Sequence, residues 1–137
     1  MKRYVLDACA LVAFFNDEEG ADIVEKILSE ASKGQCLIIM NKYNLLEVYY
    51  GYFRANGEEF AENILSIVDT SSIQVYDVLT DALLRKAGRF KASYKISLAD
   101  AMALAQAFDE QAILVTTDHH ELDVIDKDSL VEFLWVR

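Results

Sequence analysis

Five short apolar runs rich in β-branched residues alternate along the chain with longer segments of helical period, and this alternation most narrows the folds open to it. The runs are RYVLD (3–7), CLIIM (36–40), IQVYDV (73–78), AILVT (112–116) and LVEFLWV (130–136), each predicted as a strand. Between them Val24, Ile27, Leu28 and Ala31 recur at helical spacing. So do Phe60, Ala61, Ile64, Leu65 and Val68, and then Leu79, Ala82, Leu83, Ala87 and Phe90. Strands apolar at nearly every position are strands buried on both faces. The pattern therefore predicts an α/β fold, a three-layer α/β/α sandwich around a mostly parallel sheet of four or five strands. At 137 residues, without proline, a Gly- or Ser-rich linker or an internal repeat, the chain reads as a single domain over 1–137.

Composition excludes several classes. A 53% hydrophobic content beside 26% charged residues is that of a globular chain. No apolar run approaches the roughly 18 residues that cross a bilayer, and Asp7 interrupts the first run too early for a signal peptide, so no membrane partner and a cytoplasmic location are expected. Cys9 and Cys36 lack metal or redox spacing and read as buried, reduced thiols. The net charge of -10 argues against a generally basic nucleic-acid surface. From Ala82 to Ala99, however, no acid occurs, while Arg85, Lys86, Arg89, Lys91 and Lys95 all fall there. A solvated helical face and a local phosphate-binding patch both fit that run.

The stretch KISLADAMALAQAF (95–108) carries one acid, Asp100, near the start of an apolar helix. Ser97 three residues earlier makes an S-x-x-D capping box, a sufficient structural reason for the acid. Glu47 has a similar reading as a cap partner of Asn44, and Asp7 and Asp118 can be polar residues opening loops. The map of elements supplies the other reading. In a parallel sheet the carboxyl ends of the strands and the first turns of the following helices share one edge. Asp7 and Asp118 at strand ends, and Glu47 and Asp100 in first turns, can then converge there. Carboxylates a few ångströms apart repel by several kcal/mol per pair, roughly, at an effective dielectric near 20, so a cation must sit among them. An all-oxygen set suits Mg²⁺ or Mn²⁺ rather than zinc. Such an ion can acidify a water and neutralise charge building on a phosphodiester.

The motifs YVLDACALVAFF, NLLEVYYGY, SLADAMALA and LVTTDHHELD, in this order and over nearly the whole chain, resemble the PIN-domain ribonucleases, in particular the VapC-like toxins of toxin–antitoxin pairs. The resemblance implies a PIN-like sandwich in which Asp7, Glu47, Asp100 and Asp118 are the catalytic acids and bind Mg²⁺ or Mn²⁺, with Asp7 and Asp100 nearest the ion. It places Thr116 beside the acids or a substrate phosphate. The implied activity is metal-dependent endonucleolytic cleavage of single-stranded RNA, and the implied partners are RNA, a cognate antitoxin protein and a second copy of the chain. Arg85, Arg89, Lys91 and Lys95 are then candidate RNA contacts.

The chain also departs from the family pattern. TTDHHEL places Glu121 one position later than the family's second acid and Leu122 where Phe is common. Glu121 and Asp123 accordingly read as a fifth ligand acting through water or, more simply, as solvated residues, His119 and His120 as exposed or capping loop residues, and Cys9 as packing rather than a nucleophile. The aromatic run VYYGYF (48–53) exceeds what one core-facing stripe holds, so part of it is expected to face a partner. Alternatives are a non-catalytic partner-binding protein of the same fold and another Mg²⁺-dependent phosphoester hydrolase such as a phosphatase. DACAL has no second Asp two residues on, against the latter, and intact acids at four positions disfavour the former.

Overall fold

The computed structural model describes residues 1–128 and 130–137. Strands β1 (Lys2–Leu6), β2 (Cys36–Asn41), β3 (Ile73–Tyr76), β4 (Ile113–Thr116) and β5 (Phe133–Trp135) form one sheet in the order β3-β2-β1-β4-β5, and every pairing is parallel. Among the described residues the helices are α1 (Ala8–Phe15), α2 (Ala21–Ser32), α3 (Lys42–Asn56), α4 (Glu58–Thr70), α5 (Asp81–Ser93), α6 (Leu98–Asp109) and α7 (His119–Lys127).

Successive strand residues point to opposite faces and feed two cores. Tyr4, Leu6, Ile38, Met40 and Val115 pack with α1 to α4, whereas Val5, Ile39 and Leu114 pack with α5 to α7. This is the three-layer sandwich that the apolar strands require. The all-round apolar character of α6 follows from its position, since it is buried along nearly its whole length.

Several element ends differ from the sequence expectation. Asp77 and Val78 leave β3, and β5 is limited to three residues within the run 130–136. Leu79 and Ala82 do not join the buried stripe of α5, which consists of Leu83, Ala87 and Phe90. Phe60 is exposed on α4 and meets Tyr52 in a tilted ring contact at 5.3 Å. His119 and His120 open a helix rather than a loop.

The strand order reverses between β1 and β4. Chain order runs outward through β2 and β3 on one side and through β5 on the other, and the carboxyl ends of β1 and β4 therefore flank the topological switch point, where sheets of this kind take their ligands. Asp7 and Asp118 stand at that switch point.

Candidate metal centre

Two of the acids are helix caps. Asp7 follows β1 and caps α1, its Oδ1 accepting from the Ala10 amide at 2.9 Å, and it is only 1% exposed. Asp118 follows β4 and caps α7, its Oδ1 accepting from the Glu121 amide at 3.2 Å. Its own amide donates to Thr116 Oγ1 at 3.0 Å, so the buried Thr116 hydroxyl shapes the turn that presents Asp118. In each case a strand passes directly into a helix, and a short carboxylate satisfies the first free amides. One oxygen is used as the cap. Asp7 Oδ2 is buried with no hydrogen-bond partner.

Asp100 behaves differently from the capping-box expectation. Ser97 Oγ does accept from the Asp100 amide at 3.1 Å, which forms half of the box. The reciprocal bond is made by another residue: the Ser97 amide donates to Glu121 Oε1 at 2.7 Å. A glutamate from α7 thus takes the role that Asp100 would have had, and Asp100 Oδ2 remains buried and unpartnered. Glu121, read from the sequence as a solvated residue, belongs to the site. Its signal was the S-x-x-D box itself, but nothing local says that a residue 24 positions away completes it.

Glu47 is not in the first turn of its helix. Asn41, rather than Asn44, caps α3, with Oδ1 accepting from Tyr43, which puts Glu47 in the second turn, half-buried. Asn44 is spent on packing and donates Nδ2 to the Ala99 carbonyl at 3.0 Å.

Asp100, Asp118 and Glu121 each offer a carboxylate oxygen, and these oxygens all lie within 4.8 Å of one another. Asp7 and Glu47 border this triad closely enough for charge to act between them. Burial pushes the Asp7 carboxyl up to about 7; Thr116 and the Ala10 amide oppose the rise, and the charges of Asp118 and Glu47 add to it. Burial, then Glu121 and Asp118, raise Glu47. Asp100 is raised by burial and then by the neighbouring Glu121 and Asp118 carboxylates, and Glu121 is lowered chiefly by Asp100 beside it. Burial and the surrounding carboxylates push the half-buried Cys9 thiol up to about 12, which leaves it a poor nucleophile.

The remaining candidates lie around this group. Asp123 pairs with His119 at 2.7 Å, and the His119 ring stacks on Trp135 and reaches the Arg137 carbonyl, so His119 ties α7 to the end of the chain with Asp123 holding its ring. His120 is exposed, and its charge favours ionised Glu121. Arg85 and Arg89 stand exposed on α5, with Lys95 exposed in the loop that follows. Lys91 differs from them in that its Nζ donates to the Ile96 carbonyl at 2.6 Å and holds the segment leading to Ser97.

The donor set suits a hard divalent cation. It is all carboxylate oxygen, two buried oxygens have no partner, and the ion pairs found among the described residues leave all five acids uncompensated. The first turns of α1, α6 and α7 contribute only about half a positive charge each. Holding this group ionised requires a cation.

Comparison with known proteins agrees with the geometry. The chain is similar over its whole length to DNA-bound VapBC from Salmonella typhimurium, with a TM-score of 0.75, 16% identity and 100% of each chain covered. VapBC2 from Rickettsia felis, bound to a promoter DNA fragment, gives a TM-score of 0.72 at 16% identity, covering 96% of this chain and 97% of that one. A sarcin–ricin-loop-cleaving VapC toxin of Mycobacterium tuberculosis gives 0.66 at 16% identity over 85% of this chain and 91% of the other. None of the curated proteins matches the chain by sequence. The family model for the PIN domain matches residues 4–128, which include every acid of the cluster, and the chain belongs to the PIN domain family.

Proposed function

We propose that this protein is a metal-dependent endoribonuclease that cleaves single-stranded regions of RNA, and that it serves as the toxin of a toxin–antitoxin pair in the cytoplasm. The observation that carries the reading is the acidic triad beside two buried, unpartnered carboxylate oxygens at the switch point of the sheet. Asp7, Glu47, Asp100 and Asp118 would hold Mg²⁺ or Mn²⁺, with Glu121 joining them. When bound, the ion supplies Lewis-acid stabilisation of charge developing on a phosphodiester.

The chain's own residues do the rest. Thr116 and the Ser97–Glu121 bond keep Asp118 and the first turn of α6 in place, so that the acids need not rearrange as the reaction proceeds. Arg85, Arg89 and Lys95 offer cations to RNA phosphates, while Lys91 steadies the loop between them and Asp100. The similar structures from Rickettsia felis and Salmonella typhimurium are of VapBC, and this supports an antitoxin as partner. An exposed stripe on α3, Tyr43, Leu46, Tyr50 and Phe53, offers apolar surface to that antitoxin or to a second copy.

The test is Mn²⁺ titration by calorimetry at pH 7 on the wild type and on Asp100→Asn, together with cleavage of a mixed RNA pool. The wild type is expected to bind and cleave, and the variant to lose both while keeping its fold. A wild type that binds no metal and leaves RNA intact overturns the reading and favours a non-catalytic protein of the same fold. Cleavage of small phosphomonoesters in place of RNA favours a phosphatase.

A further inference from the structure

The start of α3, with its cap Asn41, meets α6 through two buried amide side chains three residues apart. Asn41 Nδ2 donates to Gln106 Oε1 at 3.0 Å, and Asn44 Nδ2 donates to the Ala99 carbonyl at 3.0 Å. Asn41, Asn44 and Gln106 are all buried, Asn44 being 1% exposed. As α3 advances from 41 to 44, its partners on α6 retreat from 106 to 99, so the two helices cross in opposite senses. One further turn along α3 brings Glu47 level with the amino terminus of α6, and the charge of Glu121, the partner of Ser97 there, does act on Glu47.

Ala99 belongs to the first turn of α6, so its carbonyl has a helical donor four residues on and does not need Asn44. Asn44 also leaves its Oδ1 buried without a partner. A leucine with the same branching would avoid that desolvation cost and still fill the site. An apolar contact, though, lets two helices slide, whereas a hydrogen bond to one particular carbonyl fixes both height and rotation. A polar group kept in a core at a cost in stability is expected where it serves position.

We propose that Asn44 is a positioning residue for the acidic site, its bond to the Ala99 carbonyl setting the register of α3 on α6 that brings Glu47 to the Asp100, Asp118 and Glu121 triad. The inference rests on the metal-binding reading of that site. Its test compares Mn²⁺ affinity by calorimetry with thermal unfolding by circular dichroism for the wild type, Asn44→Leu, Asn44→Ala and Val48→Ala. Val48 is buried on the same helix and makes only apolar contact, so its truncation serves as the packing control.

Both Asn44 variants are expected to weaken Mn²⁺ binding by about 10- to 100-fold, the usual effect of removing a group that orients metal ligands. Asn44→Leu should unfold within a few degrees of the wild type. Val48→Ala should unfold at a lower temperature and bind Mn²⁺ as the wild type does. If the Asn44 variants bind like the wild type, or if Val48→Ala loses as much affinity as they do, the positioning role is overturned while the metal site stands. A wild type that binds no Mn²⁺ overturns both.

Discussion

Asp7 divides its two oxygens between two tasks: Oδ1 caps α1, and Oδ2 lies buried without a partner. Capping needs no charge, whereas ionising a carboxyl at this depth is costly, and its proton is held up to about pH 7. The folded form therefore binds the proton more tightly than the unfolded chain, and without metal the stability this gives is lost as pH rises from about 4 through 7. Asp7→Asn keeps the cap and removes the titration. In EDTA its melting temperature should exceed that of the wild type by a margin that widens from pH 5 to pH 8, corresponding to up to a few kcal/mol. Parallel melting curves across that range would contradict the assignment. Asp7 was legible as a candidate because an isolated acid ends an apolar strand. Its raised proton affinity was not, because depth of burial and the charges of Asp118 and Glu47 come from other parts of the chain.

At the scale of elements, the first turn of α6 carries the main lesson. SLAD is a capping box by spacing, and the sequence shows Ser97 and Asp100 at the right separation for both of its bonds. Only half forms, because α7 brings Glu121 within 2.7 Å of the Ser97 amide. The short helix α7 lacked a legible period, and that is why a loop was expected there and the place of Glu121 in the site stayed open, although the exposure of both histidines was as expected. On α5 the basic run divides in a similar way. Lys91 is occupied by the Ile96 carbonyl, whereas Arg89 and Lys95 are exposed and free of the ion pairs found among the described residues. Reversing both charges, Arg89→Glu with Lys95→Glu, should weaken RNA binding and reduce the slope of log affinity against log salt by about 2, with the melting temperature little changed. Filter binding over a salt series reads this directly, and an unaltered slope would remove α5 from the RNA surface.

For the molecule as a whole, the balance of charge is the governing quantity. A net charge of -10 with five acids at one site favours any state in which a divalent ion offsets part of the repulsion. Mn²⁺ at about 100 times its dissociation constant should stabilise the native state by about 2.7 kcal/mol and raise the melting temperature by roughly 10 °C over EDTA, whereas Ser97→Ala, a lost cap, should only lower the baseline. An identical melt in Mn²⁺ and EDTA would leave the cluster without a cation. The sequence by itself determined the α/β class and the order of the strands along the chain, and it marked four of the acids as candidates. Burial on both faces and helical period are written in local composition, and an acid alone in apolar sequence is conspicuous. The tertiary structure decided the rest. Placing β1 between β2 and β4 made the switch point, the crossing of α3 and α6 carried Asn44 to the Ala99 carbonyl, and the docking of α7 made Glu121 the partner of Ser97 and released Asp100. Each of these depends on contacts between residues far apart in the chain, whose free energy is settled only when the core closes and so leaves no mark in any short stretch of sequence.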